Sequence, residues 1–511
     1  MADKTLKYGF LFGAGAEVGY GLPSGGKFAL DIFKQNSSNS KDKFKNFRDN
    51  VVTNTNYATQ WLPKNFKSKN VTTYSRNIFQ SIIRDTIEQK RNEIINTINH
   101  FDDIAERIVQ SIESDHGKDI VDIIENALDR EIDNISLSQD FSYIDEFSGG
   151  DELFDNAYFS CLLLLYKKEN FFSDDNKKCI RLIIMSILQL QVGALGDELS
   201  KKINEGFFSK KDNSIDFFDD LGDIFQLDYS CSGLTGLEYL LTEKTVKYDN
   251  DDDCVLAFAI ELMEELYSSV LDYKSLIDQN WRYLYCPSSD WAKFTKICTF
   301  LFSVREYIMK CAEEFDSGLI NGYYHMLKEA IDDKKYEVSA IATTNYNPFI
   351  EKITEQKIRF LNGSTELFYD PYLNMIGTEK ELDSKEKHIL VPLIFTQSGT
   401  KPITSIDMSK IYVDTYEEWK KSDAIVIVGF GFCLDDEHIN GILRTLVSKD
   451  GKKIIIVDLD RKGGNKNRKS EIFKALKITN NNNIEFIFVD KNGFSKEKSM
   501  SWTEILADSI I

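Results

Sequence analysis

The sequence predicts an α/β fold: an open parallel sheet with helices on both faces, interrupted by a large all-helical insertion. Three observations predict it. Through the last third of the chain, short apolar runs alternate with helical patterns, which is how strands buried on both faces of a parallel sheet read. A further apolar run of the same kind, 8–12, opens the chain and ends at once in glycines. Between these two regions, 36–333 carries almost only the three- and four-residue spacing of amphipathic helices.

The first zone, 7–35, reads as the strand 8–12, a glycine-rich turn, and a helix carrying Phe28, Leu30, Ile32 and Phe33. In the second, Ile83, Ile87, Ile94, Ile98, Phe101, Ile104, Ile108 and Ile112 form one helical stripe. Similar patterns follow at 158–166, 180–192, 255–273 and 291–315, separated by polar breaks at 212–214 and 249–253, with no repeat period. The third zone offers strands at 338–343, 359–361, 389–395, 424–429, 453–458 and 484–489. The simplest topology places both ends of the chain in one sheet. It divides the chain into 1–35 and 334–511, which build the sheet domain, and an inserted helical region, 36–333.

Composition narrows the function. At 511 residues the chain suits two to four domains, taking about 150 residues for each. A net charge of −20 argues against a general nucleic-acid binder, whose phosphate contacts need clustered cations. The basic stretch 462–469 and the acidic run 249–253 read as solvated loops. Eight scattered cysteines without a CxxC pair point away from a disulfide framework and a Cys-based zinc site, and Cys161, Cys179 and Cys298 lie in apolar runs as buried small hydrophobes. No secretory signal opens the chain, and the most apolar helix, 180–192, is shorter than the roughly 20 residues of a membrane span. A cytoplasmic protein without a membrane partner is expected.

The strongest local signal is the run from Gly13 to Pro23, GAGAEVGYGLP, directly after a strand. Glycines there allow a tight turn and close approach of a pyrophosphate, and a helix N-terminus that follows adds N–H donors. Four further segments occur in order with it: Ala342-Thr343-Thr344-Asn345-Tyr346-Asn347, Leu361-Asn362-Gly363-Ser364, the strand and turn Ile425 to Phe432 followed by Asp436-Glu437-His438-Ile439, and the strand that ends at Asp458. Taken together, the chain resembles the sirtuin (silent information regulator) superfamily, in particular the bacterial sirtuin-like domains of antiphage-defence proteins. GAGAEVGYGLP is similar to the opening GAG-x-S-x-x-x-G-I-P, TTNYN to T-T/Q-N-Y/I-D, and LNGS to L/V-H-G-S.

The resemblance implies a Rossmann-like domain that binds NAD+ as substrate or ligand and needs no metal. It implies that Gly13, Ala14 and Gly15, within an opening that also contains Glu17, Gly21 and Pro23, line the diphosphate. Asn345 would hold the nicotinamide ribose, with Thr344, Tyr346 and Gly363 beside it. Gly429, Phe430 and Gly431 would lie against the adenosine half, and Asp458 would accept from its ribose. Asn362 stands where the family has its general-base His, and an amide has no useful proton affinity near neutral pH. Glu17, Glu366, Asp370 and His325 are the other candidates for a base, while His438 suits a helix start. The zinc module of the deacetylases is missing, and Ser24-Gly25-Gly26-Lys27 replaces the D-F-R segment. The expected activity is therefore NAD+ glycohydrolysis to nicotinamide and ADP-ribose by a gated defence effector, with Asn345 and Asn362 as catalytic contacts. The rivals are a module that senses NAD+ or ADP-ribose without turnover, and ADP-ribosyl transfer onto a macromolecule. The helical insertion is expected to serve homo-oligomer contacts or a defence partner protein.

Overall fold

The computed structural model describes residues 6–22, 30–32, 34–74, 87, 91–137, 141–142, 152–195, 209–210, 234–242, 246–270, 281–313, 322–394, 405–433, 436–460, 465–479, 483–495 and 497–508. Pro23, 24–27, Phe28, Phe33, Ile83, 212–214 and Phe395, all used in the sequence reading, lie outside them. The chain forms two compact units, one of Met1–Ser24, Gln35–Tyr74 and Lys274–Ile511, the other of Gly25–Lys34 and Ser75–Tyr273. Residues 36–74 and 274–333, assigned by sequence to the insertion, thus fall in the same unit as the sheet.

The first unit is built on six parallel strands: β1 (Lys7–Phe12), β2 (Glu337–Thr343), β3 (Ile358–Phe360), β7 (Ala424–Val428), β8 (Lys453–Leu459) and β9 (Ile484–Val489). Their order across the sheet is β9-β8-β7-β1-β2-β3. Both faces are covered, as the uninterrupted apolar runs require. Tyr8, Phe10 and Phe12 point to one face and meet Tyr323, Tyr324 and Leu327 of helix α3 (Tyr323–Asp332), Ile350 of α4 (Phe349–Thr354) and Trp502 of α8 (Trp502–Asp508). Leu11, Ile425 and Ile427 point to the other. There they meet Trp419 of α5 (Ile406–Lys420), Leu443 of α6 (Glu437–Ser448) and Ile472 of α7 (Asn465–Leu476). Helices α1 (Ser38–Asn50) and α2 (Trp291–Glu313) belong to the same unit.

One expected strand of the parallel sheet belongs elsewhere. Val391–Ile394 (β6) pairs antiparallel with Gly363–Asp370 (β4), which pairs antiparallel with Met375–Gly377 (β5), in a separate three-stranded sheet. An apolar run reads alike in either setting, and the polar Ser364, Thr365 and Glu366 mask β4 as a strand. Where β4 ends, the buried Asp370 carboxylate accepts from His388 Nδ1 at 2.6 Å, and Glu386 lies 3.3 Å from His388 Nε2. Tyr57 lies over the imidazole at 4.1 Å.

In the second unit the long isoleucine stripe is two helices, Arg91–Asn99 and Phe101–His116, broken at His100. The stripe itself is buried, from Ile94 and Ile98 through Phe101, Ile104, Ile108 and Ile112. Ile120–Leu128, Ala157–Lys167, Asp174–Leu195 and Asp251–Val270 supply the other long helices. The acidic run is not a loop throughout: Asp251, Asp252 and Asp253 form the first turn of the last of these, where the helix dipole favours anions. Cys161 and Cys298 are buried as expected, whereas Cys179 is half-buried. Among the described residues no helix is long and apolar enough to cross a membrane.

The His388 clip sets a pH dependence. Burial works against the imidazolium, but the bonds and charges of Asp370 and Glu386 outweigh it and raise the pKa. An unfolded imidazole titrates near about 6.5, so the clip stabilises fully below that pH and is lost as pH rises through the higher folded value. Urea midpoints should therefore fall more between pH 6 and pH 8.5 for the wild type than for His388→Gln; equal falls would exclude the clip as the cause.

Candidate active site

In a parallel sheet every strand ends on the same edge, so the loops after β1, β2, β3, β7 and β8 share one side of the unit. The chain winds from β1 to β2 and β3 in one direction, and then from β7 to β8 and β9 in the other. The order therefore reverses between β1 and β7. Such a reversal leaves a crevice beyond the carboxyl ends, because the connections on its two sides cross opposite faces of the sheet. The glycine elbow after β1 and the Gly429 turn after β7 flank this position.

These two turns meet backbone to backbone. Gly13 N–H donates to Val428 O at 2.9 Å, and Gly15 N–H donates to Gly429 O at 2.9 Å. A Cβ on Gly13 would sit 2.6 Å from Gly429 O, and one on Gly429, whose φ is +63°, would sit 2.3 Å from Ala16 N. The glycines are thus needed for the approach of the loops themselves. After Gly13 the chain makes two short 3-10 turns, Ala14–Ala16 and Val18–Tyr20, rather than entering a long helix directly as the sequence suggests. Ala14 is exposed, and no described group accepts its N–H, which leaves one outward donor on the elbow.

Behind the elbow lies a buried polar cluster. Thr343 Oγ1 accepts from Asn345 N–H at 3.0 Å and turns the chain out of β2. Asn345 Nδ2 donates to Gly13 O at 3.1 Å and to the Tyr324 hydroxyl at 3.2 Å. That hydroxyl donates to Glu17 Oε1 at 2.7 Å, and Asn347 Nδ2 donates to Glu17 Oε2 at 2.6 Å. Asn347 Oδ1 accepts from Phe349 N–H, and Tyr20 stacks on Tyr324 with centroids 5.4 Å apart. Glu17 is 5 % exposed and Tyr324 fully buried. Burial pushes the Glu17 carboxyl up to about 7, with the bonds from Tyr324, Asn347 and Asn345 opposing it.

The remaining predicted residues divide. Thr344 continues the β2 edge, its N–H donating to Phe12 O, while Tyr346 O accepts from Thr365 N–H. Asn362 is buried and donates through Nδ2 to Thr344 O at 3.3 Å, so its amide ties the β3 loop to the β2 loop. Gly363 has φ +88°, and a Cβ there would collide with Leu393 O at 1.9 Å, so its role is close packing of β4 on β6. The Phe430 ring lies in the core beneath α5 and α6, so only its backbone faces the edge. Gly21 has φ +81° and closes the second turn.

Asp458 does not stand open for a ribose. Its Oδ2 accepts from Arg468 Nε at 2.8 Å and its Oδ1 from Leu459 N–H, and Arg468 also donates to Gly431 O at 3.2 Å. Residues 465–469 of the expected basic loop lie in α7, where Arg468 couples β8 to the Gly429 turn. Among the other candidate bases, Asp370 is spent on His388, Glu366 is exposed, and His325 Nδ1 lies 3.2 Å from the Tyr20 hydroxyl. His438 follows the first residue of α6, whose N-cap is Asp436. Sequence reasoning missed Tyr324, Asn347 and Arg468. The nearest available signal was the acidic Glu17 inside a glycine motif.

No protein-family model matches the chain, and no curated protein matches it. Among solved structures, the protein is similar in part to Sir2Af2 bound to a myristoylated histone peptide (16 % identity, 37 % of this chain and 74 % of that one, TM-score 0.25). A structure described under the mechanism and regulation of Sir2 enzymes gives 16 % identity over 38 % of this chain and 77 % of that one, TM-score 0.25. A Sir2 complex with the inhibitor EX-527, 2'-O-acetyl-ADP-ribose and a deacetylated p53 peptide gives 14 % over 35 % and 84 %, TM-score 0.22. With likeness this low, the fold is read from the strand order itself.

The loop contact predicts a large structural cost. Gly429→Ala adds a methyl where a backbone nitrogen lies 2.3 Å away and forces an alanine to φ +63°. It should destabilise the protein by about 3 kcal/mol or more, measured by urea denaturation, whereas Gly441→Ala, on the open side of α6, should not.

Proposed function

We propose that this protein binds NAD+ across the crevice between β1 and β7 and hydrolyses its nicotinamide–ribose bond. The observation that carries the reading is the meeting of a glycine elbow and the buried amide of Asn345 at the reversal point of a doubly wound sheet. The residues fit a dinucleotide. Ala14 is exposed on the elbow and its N–H has no acceptor among the described residues, which makes it a donor for a diphosphate oxygen. Asn345 directs both Nδ2 hydrogens inward, so its Oδ1 is the atom left to accept from a ribose hydroxyl or a water.

In the reaction the bond from the ribose anomeric carbon to the nicotinamide nitrogen breaks, and the electron pair leaves with nicotinamide. Water adds to the oxocarbenium-like carbon and loses a proton. The leaving group is already cationic, so positioning and charge stabilisation carry much of the rate and a strong base is not essential. The reaction written this way calls for no metal. The activity is that of a cytoplasmic defence effector that depletes NAD+, with the helical unit as its gate through oligomer or partner contacts. Asn362 in the place of an imidazole favours a second reading, a module that binds NAD+ or ADP-ribose without turnover.

Purified protein incubated with NAD+ should release nicotinamide, and Asn345→Ala should lower the rate about 100-fold. Asn362→His should raise it at least roughly tenfold if a missing base limits the native protein. Tight ADP-ribose binding without release would establish the second reading, and absence of both would defeat the proposal.

A further inference from the structure

We infer that Glu17 is the positioning residue of this site: its ionisation, relayed by the Tyr324 hydroxyl, fixes which end of the Asn345 amide faces the ligand. The inference rests on the proposed NAD+ site and names what controls it. The position occupied by Glu17 is Ser in the motif that the elbow resembles, so this carboxyl is a feature of the chain's own sequence.

The hydrogen-bond directions are forced one by one. Gly13 O is a carbonyl and only accepts, so the amide face of Asn345 turned toward it must be Nδ2. Asn347 Oδ1 is held by Phe349 N–H, so its Nδ2 must face Glu17, and Oε2 must accept. A proton on Glu17 is thereby confined to Oε1, against the Tyr324 oxygen.

With Glu17 ionised, donors run in one sense, from Asn345 Nδ2 to Tyr324 and from Tyr324 to Oε1. Asn345 Oδ1 then faces outward. With Glu17 protonated, Oε1–H donates to Tyr324, and the hydroxyl proton of Tyr324 loses its acceptor. No other described group accepts it, and a buried donor left unpaired costs about 1–3 kcal/mol. The remedy is rotation of the Asn345 amide to present Oδ1 to Tyr324, which turns Nδ2 outward and sets two oxygens against each other at Gly13. The protonated state therefore lacks either a satisfied tyrosine or a correctly turned amide.

The groups facing this carboxyl are few. Tyr324 comes from α3, Tyr20 from the elbow, and Asn345 and Asn347 from the loop after β2, while His325 lies beyond Tyr20. Among the described residues no Lys or Arg pairs with Glu17. Burial holds Tyr324 well above its ordinary range, so the tyrosine stays protonated and serves as a relay. The Glu17 carboxyl itself, at about 7, changes charge in the physiological range.

The test is a pH profile of nicotinamide release between pH 5.5 and 8.5 for wild type, Glu17→Gln and Tyr324→Phe. Wild-type kcat should rise through about pH 7, falling about tenfold for each unit below the midpoint, the slope of a single ionisation. Both variants should give flat profiles: the first replaces the carboxyl by an amide that cannot titrate, and the second cuts the relay while leaving the carboxyl. A merely structural Glu17 would lower kcat without flattening the limb. A wild-type slope retained by either folded variant overturns the inference. If Glu17→Gln fails to fold, as judged by its urea midpoint, the Tyr324→Phe profile decides alone. If the protein binds ADP-ribose without turnover, the same comparison is read on its Kd. A wild type that neither binds ADP-ribose nor releases nicotinamide defeats the proposed function, a result distinct from an active wild type whose slope both variants keep.

Discussion

The site depends on two backbone turns touching where the sheet reverses direction. β1 and β7 are neighbours in register, from Tyr8 opposite Ala424 to Phe12 opposite Val428. Their continuations would collide if either carried side chains at Gly13, Gly15 or Gly429. Because they do not, Gly15 N–H reaches Gly429 O, and the elbow is anchored from below by the sheet and from the side by its neighbour. Everything on the edge takes its position from that contact. Gly13 O is aimed at Asn345, and Glu17, one turn on, is set under Tyr324.

A carboxyl in such a place would ordinarily be excluded. Burial without a cation penalises its charged form, and here only neutral donors, one hydroxyl and one or two amides, oppose that penalty. Burial outweighs those donors without removing the charge altogether, and the carboxyl is pushed up to about 7. A lysine or arginine partner would have fixed the charge, and an apolar shell would have removed it. A site built from neutral donors keeps the proton exchangeable while keeping the geometry of the heavy atoms fixed, which is the condition for a proton to act on the orientation of an amide and on little else.

Much of this was legible in the sequence, for identifiable reasons. Buried parallel strands announce themselves as unbroken apolar runs, so β1, β2, β7, β8 and β9 were each read within a residue or two at either end. The glycine turn and TTNYN were visible because their residue types are constrained by backbone geometry. What stayed hidden was set by tertiary partners. The Val391–Ile394 strand reads identically whether its neighbours run parallel or antiparallel. Arg468 looked like one charge in a basic stretch because nothing local shows that Asp458 is within 2.8 Å. Tyr324 lay inside an amphipathic pattern that marks it as core, which it is, and the pattern is blind to where a hydroxyl points.

The same partners explain how a long excursion can interrupt the sheet just past its most demanding turn. Between Leu22 and Gly322 the chain leaves the elbow and returns, yet both ends are fastened at one place. The Tyr20 hydroxyl accepts from Tyr324 N–H at 2.9 Å, and the two rings stack. Lengthening a loop adds only slowly to its closure entropy, about 0.6 kcal/mol per doubling, so a short polar and aromatic clasp suffices to hold the ends whatever lies between them. That clasp is made of the residues that hold Glu17 and Asn345.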